Sequence, residues 1–159
     1  MRLPDDLRLW LLKTVPGLKP DKLHLFIEEG RIITRVGKSL SYIYAYNLRL
    51  FFEDRGEHSH ELMVPIIAWL TQHQPCIFDR NEDGLPIEQN ILDNKLADFE
   101  IALDLQERVI VTAREGGGWD VEYPPQQATE AQAAASASLL KELHFETGGD
   151  EWLAQSEGM

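Results

Sequence analysis

The sequence predicts an α+β fold, with two helices packed on a mainly antiparallel sheet, and three observations carry that prediction. Leu40, Tyr42, Tyr44, Tyr46, Leu48, Leu50 and Phe52 recur at every second position, the period of a strand with one dry face. Two other stretches change period: Leu7, Trp10, Leu11 and Thr14, and later Leu62, Ile66, Trp69, Leu70 and His73, lie at helical spacing. The order of elements is helix, several strands, helix, several strands, which suits an α+β sandwich. At 159 residues, 43% apolar and 26% charged, the chain has the size and composition of one ordinary globular domain.

Leu3-Pro4-Asp5-Asp6 reads as a helix start, because proline is tolerated in a first turn and acids suit the positive end of the helix dipole. Pro16-Gly17 stops that helix, and Pro20 marks a second turn. From Leu23 the period becomes two, with Leu25 and Ile27 on one side and His24 and Glu28 on the other. Glu29-Gly30 reads as a tight turn into a strand at Arg31–Val36. The long alternating strand from Leu40 follows, its polar side carrying Ser41, Asn47, Arg49 and Glu53. Glu53 to Ser59 is a polar connection to a helix that Met63, Val64 and Ile67 make apolar almost all round. Pro65 must lie near its first turn or kink it, and Gln74-Pro75 ends it.

Residues 79–95 read as acidic and irregular. Phe99, Ile101, Leu103 and Leu105 alternate with acids as another half-buried strand, and Arg108–Arg114 and Trp119–Tyr123 read as two more, joined through Gly116-Gly117-Gly118. Pro124-Pro125 is the expected boundary between an α+β domain, residues 1–123, and a tail, residues 124–159. Thr129 and Gln132 can form a capping box ahead of an Ala-rich helix or linker. Leu143-His144-Phe145, Gly148-Gly149 and Glu151-Trp152-Leu153 then suggest a small hairpin, which needs something to dock on.

Acids outnumber bases 27 to 15, a net charge of −12, which argues against autonomous nucleic-acid binding and against an anionic membrane surface. Leu62 to Leu70, the longest uncharged apolar stretch, is far short of the ~20 residues of a membrane span. Charged residues interrupt the leucines of residues 1–15, so no signal-type stretch is read there, and a soluble, cytoplasmic product is expected. The single cysteine, Cys76, suits a reducing compartment and reads as a small buried apolar residue.

Candidate chemistry is thin. Asp79-Arg80-Asn81-Glu82-Asp83-Gly84 matches the first half of a calcium loop, but position twelve is Asn90 and position eight is Pro86, so a solvated acidic loop fits better. His58 and His60 with Glu57 and Glu61 could gather around a metal, or Ser59 or His60 could simply cap the helix that follows. No nucleophile elbow or phosphate loop is present, and no catalytic, metal or cofactor residues are assigned. Tyr42, Tyr44 and Tyr46 read as sheet core against a helix, or as part of a subunit interface; stacking on bases would call for a basic groove. The large apolar side chains read as interface candidates are Trp69, Phe145, Trp152 and Leu153.

A resemblance runs through these segments. Leu23-His24-Leu25-Phe26-Ile27-Glu28-Glu29-Gly30-Arg31-Ile32, Ser39-Leu40-Ser41-Tyr42 and Tyr46-Asn47-Leu48 resemble the tail completion protein R family of contractile-tailed bacteriophages and prophages. Leu62-Met63-Val64-Pro65-Ile66-Ile67-Ala68-Trp69-Leu70 with His73-Gln74-Pro75 is similar too, and the helix core from Val64 to Pro75 is the most specific part of the likeness. Ile91-Leu92-Asp93-Asn94, Leu105-Gln106-Glu107-Arg108-Val109-Ile110-Val111, Gly117-Gly118 and Pro124-Pro125 continue it, so that residues 3–125 are covered in order.

The resemblance implies a tail-terminator-like structural protein without enzymatic activity or cofactor, located in the virion tail and assembled in the host cytoplasm. It implies a ring, with six copies as the working number, that completes the head-proximal end of the tail for head joining. Its implied partners are copies of itself, the tail tube, sheath proteins, and head-completion or connector proteins. Two readings from other classes stay open: a small metal-dependent enzyme using the Glu57–Glu61 or Asp79–Asp83 groups, and an acidic nucleic-acid mimic or regulator.

Overall fold

The computed structural model describes residues 1–34, 37, 39–55, 59–93 and 96–126. Helix α1 (Leu3–Thr14) carries Pro4, Asp5 and Asp6 in its first turn, and buries Pro4, Leu7 and Leu11. Val15 leaves the helix as its N–H bonds the Leu11 carbonyl, and Gly17, at φ +67°, reverses the chain where a Cβ would be strained. A 3-10 turn, Pro20–Lys22, leads to the sheet. The Arg8 guanidinium fastens α1 to that entry by donating to the carbonyls of Leu23 (2.7 Å) and Pro20 (2.9 Å).

Strands β1 (Leu23–Thr34) and β2 (Tyr42–Arg55) pair antiparallel from Leu23↔Phe52 to Thr34↔Tyr42. The expected turn at Glu29-Gly30 is instead a bulge between Glu28 and Arg31, with Glu29 at φ +50°. Both sides of it pair with the same neighbour, so β1 is one strand. A short polar-glycine step has the same composition whether the chain reverses or takes up extra residues in a bulge. Leu40 lies before β2 and is exposed, while Tyr46, Leu48, Leu50 and Phe52 are buried as their alternation requires.

Helix α2 (His60–His73) buries Leu62, Ile66, Ala68, Trp69 and Leu70. Ser59 occupies its N-cap position but makes no side-chain capping bond, and His60 is the first helical residue. Pro65 sits beyond the first turn, where it withholds an N–H from the Glu61 carbonyl. Its own carbonyl accepts from Trp10 Nε1 at 2.9 Å, joining α2 to α1.

The stretch expected to be irregular, residues 79–95, holds the end of a short helix α3 (Cys76–Arg80) and strand β3 (Ile87–Asp93). Ile77 is buried, but Cys76 is only half-buried, contrary to expectation, because it opens the helix at the protein's surface. An exposed edge strand needs no dry face, so β3 lacks the alternation that marks β2. The segments from Phe99 to Leu105 and from Arg108 to Arg114, expected as two strands, form one continuous strand, β4 (Leu96–Ala113). Gln106-Glu107-Arg108 masks the join, yet Glu107 keeps the buried parity of Leu105 and Val109. Gly116, Gly117 and Gly118, all at positive φ, turn β4 into β5 (Trp119–Glu122).

The strands order β1-β2-β4-β3, all antiparallel, with β5 on the far end of β4. Helices α1 and α2 cover one face, where Leu7, Leu11, Ile66, Trp69 and Leu70 meet Leu48, Leu50, Phe52, Phe99, Ile101 and Leu103. Each such side chain contributes ~1.5–3 kcal/mol by leaving water. Between β3 and β5 the edge of β4 is not paired by a strand. There the Gln74 side chain takes a strand's place: its amide donates to the Gln106 carbonyl (2.9 Å), and its oxygen accepts from the Gln106 N–H (3.1 Å). The Pro86 carbonyl and the Arg80 guanidinium satisfy Ala102 N–H and the Asp104 carbonyl on the same edge. The linker or helix and the hairpin read in residues 124–159 lie outside the described residues beyond Gln126.

Candidate interaction surfaces

The sheet runs on past its helical cover. On the helix side of that extension lie Ile32 opposite Tyr44, Thr34 opposite Tyr42, Val111 opposite Val121 and Ala113 opposite Trp119. Ile32 is 62% exposed and Trp119 60% exposed. Tyr42 and Tyr44 are half-buried, their rings edge-to-face at 4.9 Å and the Tyr42 hydroxyl donating to that of Tyr44 at 3.0 Å. That hydrogen bond, with smaller help from desolvation, pushes the Tyr42 hydroxyl pKa up to about 12. Of the three tyrosines only Tyr46 is buried.

Glu107 lies near the end of the covered sheet, with only Val109 still buried beyond it on that face of β4. It is buried, accepts the Tyr46 hydroxyl, and accepts the Arg2 backbone N–H at 2.7 Å. Burial first, then the bond to Glu107, raises the Tyr46 pKa far above the ordinary tyrosine value. The carboxylate thus holds the start of α1 to the sheet. Above it opens a cleft of about 480 Å³ between the start of α1, the end of α2 and Tyr123–Gln126. The Arg2 guanidinium lies over the Tyr123 ring at 5.5 Å, and Gln126 Oε1 accepts from the Cys76 N–H at 3.3 Å.

The open sheet face carries a second aromatic group. His24 stacks on Phe26 at 6.5 Å, and the Arg49 guanidinium sits 5.2 Å from the Phe26 ring while pairing with Glu28 (2.8 Å) and Glu100 (3.6 Å). These pairs are solvent-accessible and each worth ~0–1 kcal/mol.

Of the interface candidates, Trp69 is 1% exposed, stacked 4.7 Å from His73 and packed in the core, and it lines a shallow groove with Leu9, Trp10 and Lys13. Phe145, Trp152 and Leu153 lie outside the described residues, as do Glu57 and His58. Asp79 and Arg80 belong to α3 and Ile87 to Asp93 form β3, so the calcium-loop spacing is spread over a helix and a strand. Among the described residues no group of three His, Cys, Asp or Glu is placed to hold a metal. No described helix is long and apolar enough to cross a membrane. Gln74 and Glu107 were not singled out by sequence. Glu107 had a signal, an acid at a buried parity position after Leu103 and Leu105; Gln74 had none.

Comparison with known proteins gives one consistent result. The family model for P2 phage tail completion protein R (GpR) matches residues 1–127. Tail completion protein R of Escherichia phage P2 is 34% identical over 121 residues, which is 73% of this chain and 78% of that protein. No solved structure matches.

Proposed function

The chain belongs to the P2 phage tail completion protein R family, and we propose that it forms a ring on the head-proximal end of the tail tube, readying the tail for a filled head. Its role in tail assembly is structural. The observation that carries the ring reading is the bare end of the sheet. A monomer with a packed core leaves Ile32 on β1, Leu40 just before β2, and Trp119 and Val121 on β5 exposed, the composition of a contact surface. Its partners in this reading are other copies, the tube and sheath, and a head-completion or connector protein; the ring is placed on the virion tail after assembly in the host cytoplasm. No catalytic residue and no cofactor enters the reading.

Phe145, Trp152 and Leu153 belong to the same proposal as apolar contacts from residues 124–159 to a neighbouring subunit or tail protein. Deleting residues 126–159 and finding assembly and tail attachment unchanged rules that part out.

Light scattering with and without purified tail tubes tests the whole. Six copies of 18.2 kDa give about 109 kDa, in the closed cyclic symmetry usual for heterologous contacts. A ring, free or only on tube ends, supports the reading. A monomer indifferent to tubes overturns it.

A further inference from the structure

We infer that neighbouring copies join through their sheet edges, the β3 edge of one copy pairing antiparallel with the β1 edge of the next; this rests on the ring reading and names its contact. Three observations support it. The first is direction. Across β1, β2, β4 and β3 each strand is antiparallel to the last, so the two edges run in opposite senses. A second copy set beside the first in the same orientation therefore brings β1 antiparallel to β3, with the helical layers on the same side. The alternation continues unbroken, and a rotation between copies closes it.

The second is composition. β1 has Ile27 and Ile32 on its helix side and Phe26 and Ile33 on its open side, all at least 42% exposed. On β3, Ile91 is 82% exposed and its neighbour Leu92 is 58% exposed. Strands apolar on both faces belong inside a sheet, whereas solvent-facing edges are ordinarily blunted with lysine or proline. Neither β1 nor β3 contains lysine or proline.

The third is symmetry, which selects the pairing. β1 with β1 or β3 with β3 is an isologous contact that closes at two copies, whereas β1 with β3 is heterologous and continues into a ring. It also sets Arg31 of one copy and Glu88 of the next on the same open face, as opposite charges.

The test uses the full chain and two double variants, Ile27→Asp with Ile32→Asp on β1, and Ile87→Asp with Ile91→Asp on β3. Far-UV circular dichroism first establishes that each is folded, as the exposure of these side chains leads us to expect. Mass is then measured by light scattering, free and with tail tubes. The wild type is expected to reach ring mass, each variant alone to stay at 18.2 kDa, and an equimolar mixture to stop at about 36 kDa, one intact edge meeting the other. Variants that reach wild-type mass overturn the edge pairing and leave the ring, with the edges then free for residues 127–159 or a tube subunit. A β3 variant that dimerises alone overturns the head-to-tail pairing in favour of β1 with β1. A wild type that stays monomeric and ignores tubes fails the ring reading itself.

Discussion

The two halves of β2 carry the same pattern and meet different fates. From Tyr46 to Phe52 the even-numbered side chains are buried under α1 and α2; at Tyr42 and Tyr44 the same face is only half-buried. Alternation therefore reports which face of a strand is apolar, and says nothing about whether its own chain covers that face. The covered half is where stability is concentrated. The bare half is where replacement should be cheap for the fold and costly for assembly.

The sharpest break of that contrast is Phe52→Ala against Tyr42→Ala. Phe52 is fully buried with its ring 6.3 Å from that of Phe99, and its truncation should cost ~3–5 kcal/mol, read as a lower urea midpoint. Tyr42→Ala should cost less than about 1.5 kcal/mol. Equal losses would mean that the bare end shares the core after all.

Next in size is Gln74→Ala, which leaves the partly buried Gln106 N–H and carbonyl without their side-chain partner and should cost ~1–3 kcal/mol. Gln74→Glu should not restore it, because a carboxylate accepts from the N–H but gives the carbonyl nothing. A substitution without effect on urea unfolding would show that water replaces the amide.

Much of the fold was legible before the structure, and the misses share a cause. β2, both long helices and the buried face of Phe99 to Leu105 declare themselves because one side of each is dry. The bulge at Glu29, the strand β3 and the continuity of β4 through Glu107 do not, since each depends on a neighbour in space. The bare end was half legible: the tyrosine series was visible, while Ile32 and Trp119 joined it only when β1 and β5 took their places in the sheet.

Alkaline pH sharpens the same comparison. The Tyr44 hydrogen bond pushes the Tyr42 hydroxyl up to about 12, and burial with the bond to Glu107 pushes Tyr46 up further, against an ordinary value near 10. Above pH 10 the unfolded chain loses protons that the folded chain keeps, so stability is whole below pH 10 and falls as pH rises toward 12. Absorbance at 295 nm should show delayed ionisation that returns to ordinary values in urea. Tyr46→Phe should flatten the fall in stability more than Tyr42→Phe.

The smallest effect on the fold belongs to Ile32→Ser combined with Trp119→Ser, expected within about 1 kcal/mol of wild type because both side chains stand mostly in water. The same variant should lose attachment to tail tubes. Attachment at wild-type level would remove the bare end from the contact.

Strand β4 has a mechanical side. Its 18 residues include neither glycine nor proline, and at ~3.3 Å per residue they span roughly 60 Å without a hinge. β3 is bonded to one end and β5 to the other, and β2 stiffens the stretch between. Such a beam transmits load instead of absorbing it. Tilting the β5 end by a few degrees swings the β3 end through the opposite arc, so whatever seats one end sets the angle at which the other is presented.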